Sequence, residues 1–155
     1  MKVSRRDALL ASVAGLLAAT SSGAMATGED SRSVLQGALD AFFAGWRTGD
    51  WRDFLGRCDD SIVFQFPIGA QRGRHHAPMG RTALTAWTAA HVAEGNRITD
   101  SIIDLKLFAD DWLVICDRGS GRIAGAPYTG LHAIFMRAGK GGKIVEFREY
   151  FGELS

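Results

Sequence analysis

The sequence lacks the charge imbalance that binding to nucleic acid or to an anionic membrane surface requires. Its 18 Lys and Arg residues stand against 17 Asp and Glu residues, which gives a formal net charge of +1. A near-neutral chain has no electrostatic footprint for a polyanion. The sequence also lacks a phosphate-binding glycine loop and any His/Cys spacing typical of zinc. We therefore expect no nucleic-acid partner, no metal and no cofactor.

Long hydrophobic runs are missing as well. The longest apolar segment is Ala8–Ala19, and a membrane-spanning helix needs about 20 such residues. The segment follows Arg5 and Arg6 and precedes the small-x-small sequence of residues 24–26. This is the pattern of a cleavable twin-arginine signal peptide over residues 1–26. It predicts export of a folded protein across a bacterial inner membrane, to the periplasm or beyond, without membrane association after cleavage.

Cysteine is scarce, with only Cys58 and Cys116, and neither belongs to a CxxC pair. The two thiols could form a disulfide in an oxidising compartment. A chain that folds in the cytoplasm before export would instead keep them reduced, and free cysteine is among the most buried residue types. We expect two buried free thiols.

Hydrophobic spacing predicts helices first and strands afterwards. After a polar, flexible tail over 27–33, a domain over 34–155 begins with a helix that Ser33 caps and Gly49 ends. The other predicted elements are helices over 51–55 and 81–94, strands over 62–66, 97–108, 112–123, 128–138 and 143–151, and a short edge strand within 69–80. Helices followed by antiparallel strands indicate an α+β fold with the helices on one face of a curved sheet.

Alternation along the strands predicts which side chains face inward. On the last strand the odd positions are apolar except for Glu149, so we expect this face to point into the domain. Residues expected to face inward on the other strands are Ile62, Phe64, Phe66, Ile103, Leu105, Leu107, Leu113, Ile115 and Asp117. For the strand over 128–138 the pattern does not decide which face points inward, and His132 fits the outer surface as well as the interior.

Five short motifs follow one another between Val34 and Glu153. They are FAGWRTGDW at 43–51, DDSIVF at 59–64 before Pro67, MGR at 79–81, PYTG at 127–130 and GKIVEFREYF at 142–151. Together they resemble the NTF2-like superfamily, and within it the SnoaL-like proteins. The resemblance implies a cone of three helices and a strongly curved, mostly antiparallel sheet around an apolar pocket. It also implies a homodimer built on the outer face of the sheet.

The superfamily includes isomerases, polyketide cyclases, dehydratases, epoxide hydrolases and non-catalytic binders, so the resemblance does not select a reaction. The ketosteroid isomerases have a Tyr near Phe42, a carboxylate base where Phe66 stands, and an acid on the strand over 128–138, which has neither Asp nor Glu. Isomerase chemistry of that kind is therefore not expected. Gly152 stands where many SnoaL-like chains have Asp, which weakens the hypothesis of a polyketide cyclase.

Four polar residues are the candidate catalytic groups. Glu149 and Asp117 would serve as acid or base if they face inward, because apolar surroundings raise a carboxyl pKa. His75 and His76 lie in a loop expected over the pocket mouth and would assist as donors. The alternatives are solvated positions, or carboxylates paired with arginines.

The ligand expected from these residues is a small hydrophobic or aromatic molecule. Aromatic side chains make up the pocket wall or, in the alternative, only the packed core. The candidate pocket residues are Phe42, Trp46, Phe64, Phe66, Trp87 and Phe147. The sequence leaves open a cofactor-independent isomerase, cyclase or dehydratase and, as the alternative, a non-catalytic ligand-binding or dimerisation module.

Overall fold

Three helices and six strands make up the described part of the chain. The computed structural model describes the backbone of residues 28–153 and the side chains of residues 30–152. The helices are α1 (Gly28–Thr48), α2 (Arg52–Arg57) and α3 (Met79–Ala93). The strands are β1 (Cys58–Phe66), β2 (Gly73–His75), β3 (Arg97–Ala109), β4 (Trp112–Ile123), β5 (Ala126–Ala138) and β6 (Ile144–Glu153). The signal peptide predicted over 1–26 lies outside these residues.

The six strands form one sheet in the order β2-β1-β6-β5-β4-β3. All neighbouring pairs are antiparallel except β1 and β6, which are parallel. The helices bury their apolar sides against one face of this curved sheet, so the predicted α+β architecture is confirmed. None of the helices described here is both long and apolar enough to cross a bilayer.

Helix α1 begins earlier than the sequence indicated. It starts at Gly28, so the prediction of a flexible tail over 27–33 is wrong from residue 28 onward, and Ser33 lies inside the helix instead of capping it. Packing explains the extension, because Ser31 is buried and the Arg32 guanidinium lies 4.6 Å from the centre of the Phe108 ring. A cation over an aromatic face is an attractive contact.

The end of α1 follows the sequence signal. Gly49 has φ of +79°, a conformation that glycine adopts without a steric penalty. Asp50 then accepts a hydrogen bond from the Arg52 backbone N–H at 3.1 Å, which satisfies one of the free donors at the start of α2. The turn brings Trp51 back against α1, where its ring and that of Trp46 lie 5.4 Å apart.

The inward face predicted for most strands is confirmed by burial. The buried side chains of the sheet include Ile62, Phe64, Phe66, Leu113, Ile115, Asp117, Phe147 and Glu149. They pack against Leu35, Leu39, Phe42, Leu84 and Trp87 from the helices. Strand β5, which the sequence left open, buries His132, Ile134 and Met136 and turns Leu131 outward.

Strand β3 contradicts the prediction that Ile103, Leu105 and Leu107 are buried, because all three are at least 40% exposed. The register shifts between Ile103 and Leu105, so Ile103 pairs with Asp117 whereas Leu105 pairs with Cys116. A bulge moves every following side chain to the opposite face of a sheet. Leu105 and Leu107 therefore lie on the outer face.

Both cysteines are free, but only Cys58 is fully buried. Its burial raises the pKa of the thiol to about 12. Cys116 is half-buried because it alternates with Ile115 and Asp117 and so faces the outer side of β4. The prediction of two buried thiols is thus correct for Cys58 and wrong for Cys116.

Candidate active site

An apolar cavity of about 320 Å³ opens where the ends of α1, α3 and the β4–β5 hairpin meet β6. This volume lies at the small end of the range for small-molecule sites. Its lining consists of Trp46, Phe66, Ile68, His91, Ile98, Ile123, Ala124, Ala126, Pro127, Tyr128, His132, Glu149 and Phe151. Neither Lys nor Arg is among these described residues, so the titratable side chains at the wall are Glu149, Tyr128 and two histidines.

Glu149 is the carboxylate that lines the cavity. It lies on β6 between inward-facing Phe147 and Phe151, and its side chain is only 2% exposed. Among the described residues, its Oε2 atom has no hydrogen-bond partner. Burial raises the pKa of Glu149 to about 7; the positive charge of His132 opposes this shift, and the negative charge of Asp117 adds to it. The group can therefore both hold and release a proton near neutral pH.

Beside Glu149, three side chains form a hydrogen-bonded row that ends in the cavity. The Tyr128 hydroxyl lies 2.9 Å from His132 Nε2. On the other side of the ring, His132 Nδ1 is 3.3 Å from Asp117 Oδ1 and 3.4 Å from Oδ2. Asp117 is fully buried, so its carboxylate depends on this imidazole for ion pairing. The row places a phenolic hydroxyl, backed by an imidazole and a carboxylate, at the cavity wall.

The pKa of His132 results from opposing effects. Burial lowers it, but the hydrogen bond with Asp117 and the negative charges of Glu149 and Asp117 outweigh burial, so the pKa lies above its ordinary value. His132 pairs with Phe151 across the β5–β6 ladder and Ile134 pairs with Glu149. His132 and Glu149 are thus diagonal neighbours on one face, close enough to influence each other's protonation.

Two glycines make room for this row. Gly119 on β4 and Gly130 on β5 are directly paired in the ladder. A Cβ on Gly119 would lie 2.5 Å from His132 Cε1, and a Cβ on Gly130 would overlap the Tyr128 hydroxyl. Any larger residue at either position would have to displace the ring or the hydroxyl. The glycines therefore leave the space that His132 and Tyr128 occupy.

Asn96 holds the hairpin that forms one wall of the cavity. Its Oδ1 accepts a hydrogen bond of 2.8 Å from the Ala124 backbone N–H. Its Nδ2 lies 2.8 Å from His91 Nδ1 and donates to Glu94 at 2.7 Å. The ring of His91 packs 4.8 Å from that of Trp46, and burial lowers its pKa despite the charge of Glu94. The hydrogen bonds of Asn96 to His91 and Ala124 therefore link α3 to the β4–β5 hairpin.

The structure brings together two of the four candidate catalytic residues. Asp117 and Glu149 are both buried on the inner face; His132 is hydrogen-bonded to Asp117 and interacts with Glu149 through its charge. His75 and His76 do not line the cavity. His75 belongs to β2 at the edge of the sheet and bonds through Nε2 to the Gln71 carbonyl at 3.0 Å. The expectation that these two histidines belong to the site is therefore wrong, because Ile68 and residues of the β4–β5 hairpin line the cavity and the histidines do not.

The aromatic residues divide between wall and core. Trp46 and Phe66 line the cavity as predicted. The other four candidates, Phe42, Phe64, Trp87 and Phe147, pack fully buried behind it and do not line it. The ring centres of Trp87 and Phe66 lie 5.2 Å apart, so the aromatic rings of the core support those at the cavity wall. The buried indole N–H of Trp46, a lining residue, has no hydrogen-bond partner within residues 30–152.

Sequence reasoning missed Tyr128 and did not place His132. The signal lay in β5, where the spacing of His132, Ile134 and Met136 marks one buried face of alternating residues. Tyr128 lies four residues before His132 on that face. No group of three or more His, Cys, Asp or Glu side chains within residues 28–153 is arranged to hold a metal ion.

Comparison with solved structures identifies the fold. A protein described as NTF2-like from Anabaena variabilis superposes with a TM-score of 0.72 at 25% identity, over 90% of this chain and 97% of that one. The fold is NTF2-like. An NTF2-like protein from Burkholderia xenovorans matches with a TM-score of 0.56 at 15% identity, over 80% of this chain and 90% of its own. No protein-family model matches the chain, and no curated protein does either.

A third structural neighbour was solved with a small molecule. It is a hypothetical protein of ketosteroid isomerase-like fold from Catenulispora acidiphila, in complex with trimethylamine. It matches with a TM-score of 0.59 at 20% identity, over 76% of this chain and 86% of that one. At such identities the neighbours establish the architecture, and function has to be argued from this chain's own cavity.

Proposed function

We propose that this NTF2-like domain binds a small, largely apolar molecule in the cavity. Glu149 moves a proton from one atom of this molecule to another. The reaction class is that of a cofactor-independent isomerase, cyclase or dehydratase. The observation that carries the proposal is a fully buried carboxyl group at the wall of an apolar cavity, one oxygen of which has no partner in the described part of the chain. An unsatisfied buried carboxyl costs stability, which is typical of functional sites.

The proton transfer requires no other reactant. The Glu149 carboxylate removes a proton from one atom of the ligand, and the electron pair of the broken bond moves into the ligand. The carboxylic acid then returns the proton to a second atom, which restores Glu149 and leaves an isomer. The Tyr128 hydroxyl contributes a hydrogen bond to a ligand oxygen on which charge develops. His132 and Asp117 act through Tyr128 and are positioning residues in this scheme.

The location and assembly proposed for the protein follow from the sequence and the outer sheet face. The twin-arginine pattern at Arg5 and Arg6 supports export to the periplasm or beyond. Large apolar side chains are exposed on the outer face of the sheet: Ile102, Leu105, Leu107, Leu131 and Tyr150. A contiguous apolar patch on a domain of this size is typical of a subunit interface. We therefore propose a homodimer through this face.

The experiment follows hydrogen exchange in acetophenone, a small aromatic ketone, in deuterated buffer. Wild-type protein should broaden the acetophenone signals on binding and accelerate loss of the methyl proton signal. Glu149→Gln should lose the acceleration by about 100-fold, the lower end for removal of a general base. Asp117→Asn should lose part of this acceleration.

Glu146→Gln is the matched control. Glu146 is a buried carboxylate three residues away on β6, but it pairs with Arg74 and Arg148 outside the cavity. This variant should lose stability and keep the exchange rate. Equal exchange by Glu149→Gln and wild type would refute the catalytic proposal, and absence of acetophenone binding would refute the proposed ligand class.

A further inference from the structure

We infer that the molecule bound in this cavity carries an ammonium group, with Glu149 as its counter-ion. This inference rests on the proposed function, because it names the ligand class of the same cavity. To the unpartnered buried carboxylate oxygen on which the acid–base proposal rests, it adds two observations which that proposal does not need: aromatic walls, and no lysine or arginine among the described lining residues.

Aromatic rings reach the cavity from four elements of the fold. Trp46 comes from α1, Phe66 from β1, Tyr128 from β5 and Phe151 from β6. Aromatic π-systems attract cations through their quadrupole, most strongly for Trp, and cages of such rings suit alkylated ammonium groups. The remaining apolar wall, which includes Ile98 and Ile123, accommodates the alkyl or aryl part of such a ligand.

Glu149 supplies the charge that a purely aromatic cage lacks. Its Oε2 atom is buried and has no hydrogen-bond partner within the described residues. A buried charged group is stable only when another charge or several hydrogen bonds compensate it. An ammonium ion in the cavity provides that compensation. A neutral apolar ligand would leave the oxygen unsatisfied.

The charge balance of the site also favours a single positive charge. The ionised forms of Asp117, His132 and Glu149 sum to one negative charge, because a protonated His132 neutralises one of the two carboxylates. Burial lowers the pKa of His91, the other histidine at the wall, which favours its neutral form. A monocation would bring this buried group to neutrality, whereas an anionic ligand would add to the excess negative charge. A cation also keeps Glu149 ionised, the form in which it acts as a base.

The test compares choline with 3,3-dimethyl-1-butanol, its uncharged carbon isostere. Both are titrated into uniformly ¹⁵N-labelled protein at pH 8 and low salt, and dissociation constants are read from the shifts of amides around the cavity. Choline should bind about tenfold more tightly than the alcohol. Glu149→Gln should remove this preference, and Glu149→Asp, which keeps the charge, should retain part of it.

Two further variants separate the contributions. Phe151→Leu should weaken choline binding more than alcohol binding, because it removes an aromatic ring but keeps the apolar volume. Glu146→Gln, the control outside the cavity, should keep the preference. If both probes bind equally, or the alcohol binds better, the ammonium inference is wrong while the apolar-ligand proposal stands. If neither shifts a cavity amide, both are wrong.

Discussion

The imidazole of His132 lies over Gly119, a residue of the neighbouring strand that has no side chain to displace it. The same strand pair places Gly130 beneath the Tyr128 hydroxyl. The geometry of the candidate active site therefore depends on two residues that contribute no functional group to it. This dependence can be tested separately from the chemistry.

Gly119→Ala should push the imidazole away from Asp117 and lower the pKa of His132, because the hydrogen bond that raises it would lengthen. We expect a loss of about 1–3 kcal/mol in the free energy of unfolding from this overpacking. The measurements are an NMR titration of the His132 ring and urea denaturation. Gly56→Ala, in an open position of α2, is the control and should be neutral or slightly stabilising. An unchanged His132 titration in Gly119→Ala would show that the glycine does not position the ring.

Glu149 should make the unliganded protein less stable as the pH rises. Its pKa in the folded state is about 7, against an ordinary value of 4.5, chiefly because of burial. The folded state therefore holds the proton more tightly, and the stabilisation is complete below pH 4.5 and lost as the pH rises through 7. The stability difference between wild type and Glu149→Gln should change by on the order of 3 kcal/mol over this range. A pH-independent difference would contradict the burial of an ionisable Glu149.

The proposed homodimer predicts a monomer when charge is introduced on the outer sheet face. Leu107→Glu should dissociate the dimer at micromolar concentration, because Leu107 is 52% exposed on the apolar patch. Sedimentation velocity measures the change. Val92→Glu, at an exposed apolar position on α3, should leave the dimer intact. A wild-type protein that is monomeric at high concentration would rule out this interface.

The twin-arginine signal predicts that export depends on Arg5 and Arg6. Replacing both with lysine should retain the protein in the cytoplasm while preserving the charge, because the export machinery reads the arginine pair itself. Cell fractionation in a bacterial host measures the distribution. The matched double change of Arg32 and Arg47 to lysine, both inside α1, should leave export unchanged. Equal export of the Arg5 and Arg6 variant would argue against this route.

The helices and strands could be predicted because their signals are local. Trp112–Ile123 has the same bounds in sequence and structure, since turn residues flank it and apolar positions alternate along it. The start of α1 could not be predicted, because near its beginning the helix is held by Arg32 lying over Phe108, a contact across 76 positions of the chain. Local propensity contains no information about such a partner.

The site was predictable only in part for a related reason. Glu149 and Asp117 stand out as charges on apolar strand faces, a pattern visible in one strand at a time. Their connection through His132 depends on how β4, β5 and β6 are aligned. The error on β3 has the same origin, because a single bulge after Ile103 reversed the faces of the residues that follow.

The most direct test of the account is the titration of Glu149 itself, followed by ¹³C NMR of its side-chain carboxyl carbon with Glu149→Gln to assign the signal. We expect an apparent pKa of about 7 in the free protein, raised chiefly by burial, and a lower value when choline is bound. A pKa near 4.5 in the free protein, unchanged by choline, would show a solvated carboxylate and contradict both the acid–base role and the ammonium site.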